Sequence, residues 1–205
     1  MREMKLLRVA RISDSETERL WRFALGGDRD AFQALLAATY DLMFEYGQKF
    51  SRDRELVKDA IQDVYLEVLE KRANLSPDIP PKAYLLASLR RRLHRLASRQ
   101  RWLLSGDPVH TELQFDTEFS AEHYFIQAED TRHVAGQMSA LLNALPRRQK
   151  EVVYLRFFQD LSRDEIAYMM DIRPQSVSNL LQTAFKWLKE QWRPVISFLL
   201  PVFFS

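Results

Sequence analysis

Apolar residues recur along most of this chain at the three-and-four spacing of a helix, and alternating strand-like runs are few. Between Glu55 and Lys71 the positions Val57, Ala60, Ile61, Val64, Tyr65, Val68 and Leu69 make one such stripe, which predicts a long helix with a single buried face. Ala31 to Phe50 reads the same way. Tyr84, Leu85, Leu89, Leu93 and Leu96 mark the inner face of a third helix. Near the C-terminus Val177, Leu180, Leu181, Ala184 and Leu188 form a fourth stripe, opened by Pro174, whose fixed φ suits the first turn of a helix.

Just before that stripe, Ser162 and Glu165 have the spacing of a capping box, so a short helix is expected from about Arg163. Its inner face would be Ile166, Ala167 and Met170, with small Ala167 admitting a second helix at close range and Ile172 filling the turn. Asp171 stands where such turns often carry Gly, and Asp tolerates the left-handed backbone better than most residues. Two helices joined this tightly predict a helix-turn-helix. The outward face of the second helix then carries Gln175, Ser176, Ser178, Asn179, Gln182 and Lys186. Amides and hydroxyls pair with base edges, while Arg173 and Lys186 suit phosphates or guanine. A solvated polar face is the plain alternative, and the register of cap, turn and stripe favours DNA.

Composition narrows the function classes. Five Gly, eight Pro and 46% hydrophobic residues in 205 positions fit an all-α protein with packed cores. There is no Cys, which excludes disulfides and thiolate metal sites. His94, His110, His123 and His133 form no ligand-spaced pair, so neither a metal, a cofactor nor catalysis is expected. Charge interrupts the first sixteen residues before a signal-peptide core can form, and a cytoplasmic location is expected. The C-terminal WRPVISFLLPVFFS is apolar but too short to span a membrane, and Pro194 and Pro201 are expected to interrupt it. Phe157, Phe158, Phe185 and Trp187 read as core and partner contacts.

The net charge is only +2, yet its distribution is uneven. Ile79 to Gly106 holds no acid but includes Arg90, Arg91, Arg92, Arg95 and Arg99; Trp102 to Thr131 holds no Lys or Arg but several acids. Arg91, Arg95 and Arg99 recur four apart, a repulsive stripe that a polyanion would relieve. The helix before it shows Asp59, Gln62, Asp63, Glu67 and Glu70 on its outer face, an acidic surface for a basic partner. The switch of charge near Gly106 and Pro108 predicts a linker over 103–131 between helical domains at 16–102 and 132–192, with an apolar tail at 193–205.

The acidic helix with DAIQDVY (Asp59 to Tyr65), the basic helix with YLLASLRRRL, the acidic linker, LPRRQKEVVYLRF and LSRDEIAYMM together resemble the extracytoplasmic-function sigma factors of the sigma-70 family. The YL-x-x-x-LR wording is similar to Bacteroidetes forms. The resemblance covers about 21–101 and 141–191, and implies sigma regions 2 and 4 in those two domains. It implies that Asp59, Gln62, Asp63 and Glu67 dock on core RNA polymerase. Asn74, Tyr84, Arg90, Arg91, Arg92, Arg95 and Arg99 would capture the melted minus-ten element of promoter DNA. Where many relatives carry Trp, Asn and Asp, this chain has Tyr84, Arg91 and Arg95, so the resemblance implies melting there without carrying over which bases are read. Arg173, Gln175, Ser176, Ser178, Asn179 and Gln182 would read the minus-thirty-five duplex, with Arg147, Arg148, Ser162, Arg163 and Lys186 on phosphates. The linker would thread the polymerase's RNA-exit path or serve as a solvated tether, and the apolar tail is expected to pack on a domain or on a partner such as an anti-sigma factor. The competing reading is a stand-alone regulator that binds a palindromic operator as a dimer.

Overall fold

The computed structural model describes the backbone of residues 14–105, 115–116, 119 and 129–203, and the side chains of 14–99, 115–116, 119 and 136–192. Every regular element among them is helical. The order is α1 (Asp14–Leu25), α2 (Arg29–Gly47), α3 (Arg54–Lys71), a 3-10 turn (Arg72–Asn74), α4 (Pro81–Ser105), α5 (Glu129–Ala144), α6 (Arg147–Val153), a π-helical turn (Tyr154–Phe158), α7 (Arg163–Met170) and α8 (Pro174–Phe203). The chain divides into two compact units, an N-terminal one built on α1 to α4 and a C-terminal one built chiefly from Phe115 onward.

In the N-terminal unit the stripes read from sequence become a core. Val57, Ala60, Ile61, Val64 and Val68 of α3 are buried, as are Leu85, Leu89 and Leu93 of α4. Trp21 of α1 is fully buried, with its ring against Tyr84 at 5.5 Å and its indole N–H donating to the Ser76 carbonyl at 3.3 Å. α2 and α3 start at Arg29 and Arg54, slightly before the apolar pattern begins, because capping carboxylates sit just upstream. Asp28 accepts from the amides of Asp30 and Ala31, and Asp53 from those of Glu55 and Leu56. α2 ends at Gly47 rather than Phe50. A Cβ on Gly47 would meet Val57 Cγ1 at 2.6 Å, so the missing side chain lets α2 and α3 close together.

One polar contact is buried in this core. The Tyr65 and Thr39 hydroxyls lie 2.9 Å apart, and Thr39 also donates to the Leu35 carbonyl at 2.7 Å. Burial pushes the Tyr65 phenol up to about 12, with the Thr39 bond opposing the shift.

In the C-terminal unit α6 packs against α8, with Val152, Val153, Leu155, Leu161 and Ile166 buried. α8 is longer than the sequence suggests: its backbone runs through Pro194 and Pro201 to Phe203. Each proline removes one intrahelical bond, and a long helix absorbs such a loss by bending. The side chains of the expected tail fall outside the described residues. No described helix is long and apolar enough to cross a membrane. Most of the expected linker also lies outside the described residues, but Phe115 and Phe119 are both buried in the C-terminal unit.

Replacing Tyr65 by Phe should lower stability at neutral pH by about 1 kcal/mol, the usual net worth of a buried hydroxyl pair, read from the urea midpoint. A pH series tests the linked charge. Below about pH 10 the phenol is neutral folded or unfolded; between about 10 and 12 only the unfolded chain loses the proton, so stability should fall there. The Phe variant should lack that part of the alkaline loss.

Candidate nucleic-acid interface

The helix-turn-helix forms as its local chemistry dictates. The Glu165 amide donates to Ser162 Oγ at 3.2 Å while Glu165 Oε2 accepts from the Ser162 amide at 2.7 Å, the reciprocal pair of a capping box. Ile166, Ala167 and Met170 are buried. Asp171 adopts φ 55°, and the Ile172 amide then reaches back to the Ala167 carbonyl at 3.1 Å, closing α7 with a Schellman bond. α8 starts at Pro174. Within it Val177 and Ala184 are fully buried and Leu188 nearly so, while Leu180 and Leu181 are half-buried.

That seating turns the opposite face outward. Gln175, Asn179, Gln182 and Lys186 are exposed, as is Arg173 just before the helix; Ser176 and Ser178 are half-buried. Gln175 Nε2 donates to Asn179 Oδ1 at 3.0 Å, so the two amides form one preset pair. Ser178 Oγ donates back to the Pro174 carbonyl at 3.4 Å, which draws it off the outward face. Arg147, Arg148, Ser162 and Arg163 are exposed, and Arg163 also meets Asp164 at 3.2 Å. Arg148, Ile172, Ser176, Asn179, Leu180 and Thr183 line an open depression of about 310 Å³. Thr183 is a candidate contact that the sequence reading missed. Its place one turn beyond Asn179 was the available signal.

The N-terminal unit carries the second candidate surface. Arg91, Arg95 and Arg99 are exposed along α4, as the four-residue spacing predicts, and Arg90 is half-buried. Arg91 donates to Ser88 Oγ at 3.1 Å. Asn74 is exposed in the 3-10 turn. Tyr84, expected at the minus-ten element, is 8% exposed and packs on Trp21, because it begins the inward stripe of α4. Burial raises its phenol pKa, and in this position it offers no open platform to a base.

Arg92 and Asp63 were expected on two different surfaces, one meeting DNA and the other protein. The structure joins them in an ion pair between α4 and α3. Glu67, one turn on, is hydrogen-bonded to Lys71, which holds its carboxyl below the usual range; attraction to Arg95 and Arg91 adds to that, against the effect of burial. Asp59 and Gln62 are exposed on α3. The acidic and basic surfaces therefore share the α3–α4 seam. Among the described residues no group of His, Asp and Glu could hold a metal ion.

The fold and this surface define a two-unit helical protein with a helix-turn-helix. Residues 35–103 match the family model for sigma-70 region 2, and residues 135–188 the model for sigma-70 region 4. The two matches together span more than half of the sequence, and the chain belongs to the sigma-70 family. No curated protein sequence matches it significantly. Among solved structures it is similar to CnrH in complex with the cytosolic domain of CnrY, at 18% identity and TM-score 0.54, covering 87% of this chain and 98% of that one. It is also similar to the sigma factor RpoE in complex with the anti-sigma factor NepR from Bartonella quintana, at 18% identity and TM-score 0.53, covering 79% and 96%. At this identity the likeness establishes the fold.

The turn at Asp171 can be tested directly. Asp171→Ala should cost roughly 1–2 kcal/mol, the strain of a left-handed L-residue without a polar side chain. Asp171→Gly should stay within about 1 kcal/mol of the parent, since Gly accepts that φ but loses more entropy on folding. Thermal or urea midpoints that rank the two variants the other way would overturn the assignment.

Proposed function

We propose that this chain is an extracytoplasmic-function sigma factor: a subunit that joins core RNA polymerase, recognises promoter DNA, supports its melting and starts transcription, with no chemistry of its own. The observation that carries this reading is the seating of α8, whose buried stripe leaves Gln175, Asn179, Gln182 and Lys186 facing outward beside Arg173. These would read the minus-thirty-five duplex in the major groove, with Ser176 and Thr183 at the edge and Arg147, Arg148, Ser162 and Arg163 on phosphates. Ser178 would act through the helix rather than on a base.

In the N-terminal unit Arg91, Arg95 and Arg99 supply a cationic track suited to a single strand, with Arg90 beside it and Asn74 in the preceding loop. Arg92 would join them on leaving Asp63. Asp59 and Gln62 form the open part of the surface for the polymerase, and Asp63 and Glu67 its edge toward α4. Working beside the polymerase and DNA places the protein in the cytoplasm, and the YL-x-x-x-LR wording of α4 favours a Bacteroidetes-type member. An anti-sigma partner is proposed from the likeness to RpoE bound to NepR. The half-exposed Phe157 and Phe185, 5.5 Å apart edge to face, offer it an apolar contact.

Transcription reconstituted with core polymerase over a promoter library tests recruitment, melting and sequence preference together; no start from any template would end the proposal. Binding of an operator by the chain alone, as a dimer, would favour a free-standing regulator instead. Gln175→Ala should reduce preference for the selected promoter over random duplex by on the order of 1–3 kcal/mol and leave random-duplex affinity nearly unchanged, measured by competition binding. Asp59→Arg should reduce co-purification with core polymerase while α8's duplex preference is kept.

A further inference from the structure

Phe115 and Phe119 come from the acidic segment that holds no Lys or Arg, yet they are 2% and 6% exposed. Neither lies in a helix. Phe115 packs on Tyr154 with ring centres 5.6 Å apart, and Phe119 on Phe158 at 5.0 Å. Tyr154 and Phe158 are themselves stacked at 5.7 Å on the π-helical turn, and Gln159 Nε2 fixes the Tyr154 hydroxyl at 2.7 Å. Turns of this kind are rare and occur frequently at functional sites.

The backbone of Phe119 is held as well. Asn143 near the end of α5 accepts from the Phe119 amide at 2.8 Å and donates from Nδ2 to the Phe119 carbonyl at 3.0 Å. A side-chain amide bonded to both groups of one residue makes the pair of bonds that a neighbouring antiparallel strand residue would make. Recognition of backbone by hydrogen bonds and of alternate side chains by apolar contacts is the division of labour seen where proteins bind peptides.

We propose that Asn143, Tyr154 and Phe158 form a peptide-binding groove on the C-terminal unit, filled in cis by the chain's own Phe115 and Phe119. The groove selects two aromatic side chains four residues apart, and Asp116, which follows the first of them, is exposed. A partner presenting that pattern competes with the linker for the site. This role is separate from promoter binding: none of the three groove residues lies on the outward face of α8.

The test uses the full-length chain. In the parent protein the Phe119 amide should be protected from hydrogen exchange, and Asn143→Ala should reduce that protection by about tenfold or more while α8 amides around Val177 to Ala184 keep theirs. A fluorescent peptide of residues 111–121 should bind a Phe115→Ala/Phe119→Ala variant at least about tenfold more tightly than the parent, because only the variant leaves the groove open. Adding Asn143→Ala to that variant, or replacing both Phe in the peptide by Ala, should abolish the gain. Should the double variant fail to fold by circular dichroism, the exchange comparison in the single Asn143→Ala variant decides alone. An unprotected Phe119 amide in the parent, or peptide binding indifferent to Asn143, overturns the proposal. Protection that rises with protein concentration, together with a dimer in sedimentation, would assign the groove to a second copy and overturn occupation in cis.

Discussion

Burying an apolar stripe on each helix is the constraint on which the rest of this structure depends. A helix that commits one side to a core has its other side chosen for it. In α8 the inward placement of Val177, Ala184 and Leu188 forces the amide-bearing residues outward. In α4 the inward run of Leu85, Leu89 and Leu93 leaves Arg91, Arg95 and Arg99 in solvent despite their mutual repulsion. The stripe supplies the free energy, and the polar face inherits its position. Close approach sharpens the outcome where side chains are small, at Gly47 against Val57 and at the buried Ala167 and Ala184.

Much of this was legible before any coordinates. Capping boxes, prolines at helix starts and left-handed turns are local devices, so Ser162 with Glu165, Pro174 and Asp171 behave as their spacing predicts. Helix starts were less exact because the capping carboxylates at Asp28 and Asp53 precede the apolar pattern rather than belong to it. Tyr84 carries a family role and a packing signal together. Its place on the inward stripe was visible, and the ring is buried as that local signal predicts.

What escaped the sequence depends on residues far apart along the chain. Asp63 and Arg92 each read as an outward charge, and only the crossing of α3 and α4 brings them together. Phe115 and Phe119 sit in a segment without periodicity, where two aromatics among acids carry no signal of burial. Asn143 looks like a surface amide near a helix end until the backbone of Phe119 lies against it. Likewise the π turn at Tyr154 has no pattern of its own. It widens the end of the element by one residue, and Asp160 at φ 56° then redirects the chain toward α7.

The ion pair between Asp63 and Arg92 also changes how salt should act on this surface. A free guanidinium on a cationic helix draws phosphate and lets the mobile ions condensed around the nucleic acid escape, which is why such binding weakens steeply as ionic strength rises. Arg92 already has a fixed counterion of its own in Asp63. A strand that engaged it would trade one anion for another and gain little from ion release. The ionic-strength dependence of binding at α4 should therefore be shallower than its tally of arginines suggests.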